Sequence, residues 1–362
     1  MEFYGHDLHS AVPAIVEVKD TIDALADVML AGLEHLDDRY IKAVGYSPKA
    51  SRGQLPRMLL LADIVSDSED AVAAAAASMV RIINQRDGEG FIAASREARE
   101  RFWAARSRTA AIAAHTNAFK INEDVVIPLS ALAEYSEGIE RINIVQSIRN
   151  KLQNITALDE LFQQPLALQL AADDDTGGEE QQQIDEQHRA AAQTLIKSVH
   201  KRWQSLLERL DQPLADCTDL IDIDVDDQTD RTLLQAFLRR SAVVSLRTEV
   251  ERPLKELFNG RRYQALRAQI DAIHAKIRPG RLFVALHAHA GDGNVHSNIP
   301  VNSDDYHMMQ TADGMVDEIM ALAKSLGGVI SGEHGIGLTK MQYLDEASVL
   351  SLIHISEPTR PY

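Results

Sequence analysis

The residues best equipped for chemistry lie in two short stretches, "LFVALHAHAGDGNVHSNIPVN" (282–302) and "GGVISGEHGIGLTK" (327–340). His289 and His296 flank the turn "AGDGNV", and on two paired strands they would approach each other across a hairpin. Neutral imidazoles are good ligands for first-row metals. A histidine at a strand end can equally cap a turn or satisfy a buried carbonyl, but two at one hairpin, with "EHGIG" in a second glycine-rich turn, favour ligation. Glu333 supplies the carboxylate of a two-histidine, one-carboxylate site whose remaining positions stay open for substrate oxygens. Its neighbour His334 would point to the opposite side of an extended backbone, which leaves it free to act as a general base. Gly332, Gly335 and Gly337 let the backbone turn tightly and approach a flat ligand.

Other polar residues nearby have more modest readings. His287 shares a strand face with His289 and is either a group behind the ligands or an alternative ligand. Asp292, within "GDGN", has the chemistry of a turn. His307 falls on a helix and should be solvated.

The elements that must position these residues follow from periodicity. "RLFVALHAH" and "VHSNIPV" read as a hairpin around "GDGN". "SDDYHMMQTADGMVDEIMALAKSL" reads as a helix with an acidic start, and "GGVISGEHGIG" as a strand entering a turn. Earlier in the chain, "DTIDALADVMLAGLEHL" (20–36) has helical spacing, and "RMLLLADIV" has strand length. "SDSEDAVAAAAASMVRIINQR" is a helix with Ser66 and Glu69 at capping-box spacing. "SREARERFWAARSRTAAIAA" (95–114) is a further helix, and "NEDVVIPLSAL" is a β-branched run closed by a proline at a sheet margin. From about Glu134 to Ala275 the pattern is charged and helical, broken by "ADDDTGGEEQQQ", which reads as a solvated loop. The predicted fold is α+β: a mainly antiparallel sheet with helices packed on it, interrupted by a long helical insertion. The predicted segments are 1–134, a helical acidic insertion at 135–279, and a second half at 280–349 carrying both motifs.

The whole chain sets limits. Its 362 residues, 45% hydrophobic, suffice for a proper core. A formal net charge of -17 disfavours duplex DNA or an anionic membrane as partner. The one cysteine, Cys217, allows no internal disulfide and no thiolate-ligated cluster within this chain, which fits a reducing cytoplasm. No apolar run approaches the roughly 18–20 residues of a membrane span, so any contact with an inner membrane would come through a partner. The closing "LSLIHISEPTR" (350–360) can be encoded by a DNA string resembling a transposase adapter. Residues 350–362 are therefore expected to be a non-native tail, and the reading frame a fragment of a longer gene.

"HAGDGNVH" followed by "SGEHGIG" resembles the C-terminal, substrate-side domain of FAD-linked oxidases and dehydrogenases, the group with D-lactate, glycolate and D-2-hydroxyglutarate dehydrogenases. "LAGLEHLDDRYIKAV", "MLLLADIVSDSEDAV", "EARERFWAARSRTAAI" and "NEDVVIPLSAL" follow the order such domains use, and the long insertion is similar to bacterial forms with a fused iron–sulfur module. The resemblance implies that His289, His296 and Glu333 hold a divalent metal, zinc by similarity. It also implies that His334 takes the substrate hydroxyl proton while hydride passes to flavin. Arg106, in "FWAARSR", matches an arginine that pairs with the substrate carboxylate; Lys120 is a weaker match, and Asn298 would touch substrate. FAD would be bound mostly by a preceding domain, since no pyrophosphate-binding glycine loop is evident. Electrons would leave for an iron–sulfur module, a quinone or another carrier, and the domain alone should not turn over. Two other readings use the same residues: a metal-dependent hydrolase with a metal-activated water, and a helical scaffold with structural histidines.

Overall fold

The computed structural model describes residues 1–5, 11–104, 119–168, 179–221 and 231–344. In chain order the sheet and its first helices are β1 (Glu2–Phe3), α1 (Pro13–Asp23), β2 (Met29–Asp37), α2 (Asp38–Ala43), β3 (Met58–Val65), α3 (Glu69–Asn84), β4 (Gly88–Glu89), α4 (Arg96–Trp103) and β5 (Phe119–Val126). Helices α5 (Leu132–Gln163), α6 (Glu179–Glu208), α7 (Leu233–Leu238), α8 (Arg252–Leu257) and α9 (Gln264–Ile277) follow. The chain then returns to the sheet with β6 (Ala285–His289), β7 (Asn294–Val301) and the covering helix α10 (Tyr306–Ser325). Among the described residues the strands form one sheet in the order β4-β1-β3-β2-β6-β7-β5, each neighbouring pair antiparallel. The fold is α+β, as the residue pattern implies.

Among the described residues, two large cores and a smaller cluster around Leu36, Tyr40 and Leu59 hold the fold. One lies between the sheet and helices α1, α3 and α10, with Ile15, Val18, Ile83, Ile299, Ile319 and Met320 buried in it. The second lies within the helical stretch around Trp203, Phe162, Phe258 and Leu266. Helix α5 serves both: Tyr135, Ile139 and Ile142 pack in the first, and Ile148, Ile155, Leu158 and Phe162 in the second. Polar side chains fix this helix to the sheet. Asn143 Nδ2 donates to the Val284 carbonyl at 3.0 Å and its Oδ1 accepts from the Val284 amide at 2.7 Å, while Asn150 Nδ2 donates to the Leu282 carbonyl at 3.2 Å. These bonds satisfy the backbone just before β6, where no strand among the described residues does.

Four local expectations are corrected. The run 20–36 is not one helix, because α1 ends at Asp23 and Met29–Asp37 is a strand. That segment occupies the middle of the sheet, where β3 and β6 satisfy its backbone on both sides, and Gly32 weakens any helical alternative. The cap of α3 is Ser68, whose side chain accepts from the Ala71 amide; Ser66 instead accepts from the Ser68 amide at 3.1 Å. In "ADDDTGGEEQQQ", residues up to 178 lie outside the described ones, and from Glu179 the chain is the first turn of α6 rather than loop, its acidic residues suited to the helix dipole. "GGVISGEHGIG" forms no extended strand; one bridge joins Val329 to Val126, and the chain then leaves the sheet. The helix predicted over 95–114 is described only as α4, ending at Trp103.

Candidate functional site

The β6–β7 hairpin sets the site by register. His287 lies opposite His296, and His289 opposite Asn294. Directly opposed residues and residues two apart share a sheet face, so His287, His289, Asn294, His296 and Asn298 all project to one side. The flanking strands add to this face: β2 places Glu34 opposite His289, and β5 places Asp124 opposite His296 and Asn122 opposite Asn298. His289 and His296 are therefore diagonal neighbours, with ring centroids 5.4 Å apart and planes at 83°.

The turn between them depends on Gly293. Its φ is +70°, and a Cβ there would sit 2.2 Å from the Ile127 carbonyl oxygen. Gly293 instead closes on that segment, its carbonyl accepting from the Ile127 amide at 2.9 Å. Asp292 is exposed at the turn, as its turn chemistry implies, and His307 is exposed on α10.

Glu333 arrives from the loop after Val329. Its Oε1 lies 3.1 Å from His296 Nε2 and 3.6 Å from His289 Nε2, and one ligand atom from each of the three residues lies within 4.8 Å of the others. His296 is buried, and neither of its ring nitrogens has a hydrogen-bond partner among the described residues. Burial pushes its imidazole down to about 4, Glu333 partly opposing and His334 and His289 adding to the drop. The ring is thus neutral at ordinary pH, the form that ligates a metal. His289 has its Nδ1 2.7 Å from Glu34 Oε1, which turns Nε2 toward Glu333. A carboxylate behind a histidine in this way fixes the tautomer and raises the basicity of the inner nitrogen. His287 stands aside from the trio: its ring stacks on His296 at 4.5 Å and 9°, and its Nδ1 lies 3.1 Å from Asn298 Nδ2.

The loop is held by Asp124. This fully buried carboxylate accepts from the amides of Gly332, Glu333 and His334 at 2.7, 2.6 and 3.1 Å. The buried Lys340 ammonium donates to Asp124 Oδ1 at 2.7 Å and to its carbonyl at 2.8 Å, and lies 3.3 Å from Glu123. Burial pushes the Asp124 carboxyl up, but the hydrogen bonds from Lys340 and the amides outweigh it and hold the group well below the ordinary carboxylate range. Gly332 packs so closely that a Cβ would meet Asn294 Oδ1 at 2.6 Å. His334, partly exposed, has Nδ1 3.6 Å from Asp124 Oδ1 and Nε2 4.0 Å from Glu333 Oε1, and its ring leans on His296 at 5.1 Å.

The sequence-predicted residues thus fall into four groups. His289, His296, Glu333 and His334 converge. Asn298 is fully buried on the same face beside His287, its Oδ1 without a partner among the described residues. Lys120 lies on that face of β5 but four residues from Asp124, opposite Pro300, roughly 13 Å along the strand. Arg106 lies outside the described residues. Sequence reading missed Glu34, Asp124 and Lys340. Glu34 sat inside the run misread as helix; Asp124 and Lys340 stood in quoted motifs, but only the fold shows that they meet.

Comparison with known proteins gives the family. The model of the family "FAD linked oxidases, C-terminal domain" matches residues 7–152 and 214–349, and the chain belongs to that family. The match reaches further into the helical stretch than the motifs alone do and leaves 153–213 between its two parts. Among curated relatives, the mitochondrial D-lactate dehydrogenase [cytochrome] of Kluyveromyces lactis is 35% identical over 77 residues, 21% of this chain and 13% of that protein. A D-lactate dehydrogenase of Archaeoglobus fulgidus is 45% identical over 60 residues, 17% of this chain and 13% of that protein. The glycolate oxidase subunit GlcD of Bacillus subtilis is 40% identical over 57 residues, 16% of this chain and 12% of that protein. The matched stretches thus span about an eighth of these relatives' lengths.

Proposed function

We propose that this chain is the substrate side of a FAD-dependent oxidoreductase that oxidises a D-2-hydroxy acid, of the lactate, glycolate or 2-hydroxyglutarate class, to the 2-keto acid. The observation that carries the reading is the convergence of His289, His296 and Glu333 within 4.8 Å, beside His334, in a chain of this family. The trio suits a divalent cation, zinc by resemblance: two neutral imidazole nitrogens and a carboxylate, one ring buried with its nitrogens unpartnered among the described residues and the other backed by Glu34. When bound, such a cation supplies a Lewis acid for the substrate's oxygens.

The remaining roles belong to the chain's own side chains. His334 Nε2, on the side of Glu333, takes the hydroxyl proton, and Asp124 near Nδ1 stabilises the ring once it is charged. The unpartnered Asn298 Oδ1 accepts a hydrogen bond from substrate, and Lys120 and Arg106 attract its carboxylate. FAD accepts the hydride when bound; the reading gives its binding mostly to a domain outside this chain, and the electrons onward to an iron–sulfur module, a quinone or another carrier.

The test is metal content by mass spectrometry on the purified chain beside a His289→Ala, His296→Ala, Glu333→Ala variant, with circular dichroism to check folding, followed by calorimetric titration with D-lactate, glycolate and D-2-hydroxyglutarate. About one divalent ion per chain, lost in the variant, with binding of one of these acids, supports the proposal. A well-folded chain without metal removes the Lewis acid, and a metal-loaded chain indifferent to all three acids removes the substrate class.

A further inference from the structure

Strand β6 has His289 at one end. Beyond its other end, at Phe283 and about 20 Å from His289 along the chain direction, a cleft of 830 Å³ opens between the sheet and the helical stretch. Its walls come from α2, α5, the segment 243–247, α9 and residues 281–283. In a chain of net charge -17, this cleft gathers Arg39, Lys42, Lys151, Arg247, Arg281 and His274.

Some of these are neutralised. Arg39 pairs with Glu140, and Lys42 with Asp38 at 3.0 Å. His274 Nδ1 meets Glu251, and its Nε2 accepts from Arg281 Nη2 at 2.8 Å. The ring thus stands between Arg281 and Glu251, whose carboxylate attracts the guanidinium without a direct ion pair. No carboxylate among the described residues pairs with Lys151, Arg247 or Arg281; Lys151 donates only to the Ser147 carbonyl and hydroxyl, at 3.3 and 2.6 Å. Lys151 and Arg281 are both partly buried, where an unmatched cation is costly. Burial first, and then the nearby Arg281 guanidinium, together push the Lys151 ammonium down to about 8. Arg247 begins a single π-helical turn, Arg247–Glu251, a local irregularity common at ligand sites. Between the cations lie Phe283, Leu246 and Val244, with Val243 left 66% exposed at the rim, and the polar Asn143, Ser147, Asn150 and Ser245.

We infer that this cleft is a second binding site, for a small organic anion carrying at least two negative charges and an apolar portion. Lys151, Arg247 and Arg281 hold the charges, and Phe283, Leu246 and Val243 cover the rest. The site is separate from the histidine site and does not depend on the function proposed for it. Helix α2 touches both, since it carries Arg39 and Lys42 in the cleft and Tyr40, whose ring packs edge-on against His287 at 5.1 Å.

The test is calorimetric titration of the full chain with inorganic pyrophosphate and, separately, with citrate, which distinguishes a phosphate from a carboxylate ligand. The comparison is a Lys151→Met, Arg281→Met variant, whose methionines keep the apolar stems. Saturable binding of either probe, weakened at least about tenfold in that variant and unchanged in a His289→Ala, His296→Ala variant, is the expected result. Should the double variant fail to fold, the exposed Arg247→Gln decides, with weakening of about threefold expected. No binding of either probe up to about 10 mM, or equal binding by the cleft variants, overturns the inference.

Discussion

Replacing Asp124 by asparagine should release the loop that carries Glu333 and His334. The carboxylate is fully buried and accepts from the amides of Gly332, Glu333 and His334 and from the Lys340 ammonium. An asparagine offers one acceptor oxygen in place of two and turns an N–H toward the remaining donors. The substitution also leaves Lys340, 3% exposed, with only Glu123 at 3.3 Å as carboxylate partner. Breaking a buried ion pair from one side costs roughly 3–5 kcal/mol. Each lost hydrogen bond to a charged group is within about 1.5–3 kcal/mol, so the cost of opening the loop should fall by about 3 kcal/mol at least. That is a factor of more than about a hundred in the opening equilibrium. Hydrogen exchange of the peptide spanning Ser331 to Lys340 reads it directly: amides 332–334 should be slow in the parent chain and at least about a hundredfold faster in Asp124→Asn. Exchange within threefold of the parent would refute the argument that this carboxylate anchors the loop. The pH dependence has a definite sign. Because the folded state holds the Asp124 carboxyl well below its ordinary value, its contribution is fully present above the unfolded value near 4, and is lost as pH falls below that through the folded value. Loop protection should therefore be flat from neutral pH to about 5 and fall only in stronger acid.

Glu34→Gln removes the carboxylate behind His289 and should weaken metal affinity about 10–100-fold in a chelator competition, with little change in thermal stability. His287→Phe should keep metal binding, since this ring stacks on His296 outside the ligand trio, whereas His296→Ala should abolish it. Gly293→Ala places a methyl 2.2 Å from the Ile127 carbonyl oxygen at φ +70°, and should cost about 2 kcal/mol or more in urea unfolding. Trp203→Ala removes a fully buried ring whose Nε1 donates to Glu249 at 2.9 Å, and should destabilise the helical core by roughly 3–5 kcal/mol without altering metal content at the hairpin.

What the sequence makes legible, and what it hides, follows from the range of the interactions concerned. The hairpin around "GDGN" is local: a turn that demands glycine at Gly293, flanked by alternating residues, specifies both the strands and the shared face of His289 and His296. Hence two of the three converging ligand candidates can be paired from one short stretch. The strand 29–37 is the opposite case. Its leucines, three apart, satisfy helical spacing, and in the strand Leu33 and Leu36 fall on opposite faces, so the choice is made by β3 and β6, which pair with it on either side. Losing that strand also hid Glu34, because a glutamate on a supposed surface helix has no reason to face a histidine 255 residues later. Asp124 and Lys340 were hidden for a related reason: a lone buried charge would be prohibitive, so their burial becomes physically reasonable only as a pair, across 216 residues. The same logic bears on the cleft. There Lys151 of α5 and Arg281 are brought together where α5 packs beside the sheet and its Asn143 and Asn150 side chains bind the backbone before β6. Cations that a fold brings together without carboxylates to match pose an electrostatic cost that a bound anion would remove. In the histidine site the unmatched groups are neutral nitrogens and a carboxylate, which call for a cation. In the metal-free chain the two ends of β6 therefore attract ligands of opposite charge, and exchanging the probes between them, a divalent metal at the cleft and pyrophosphate at the metal-free histidines, should give no binding at either.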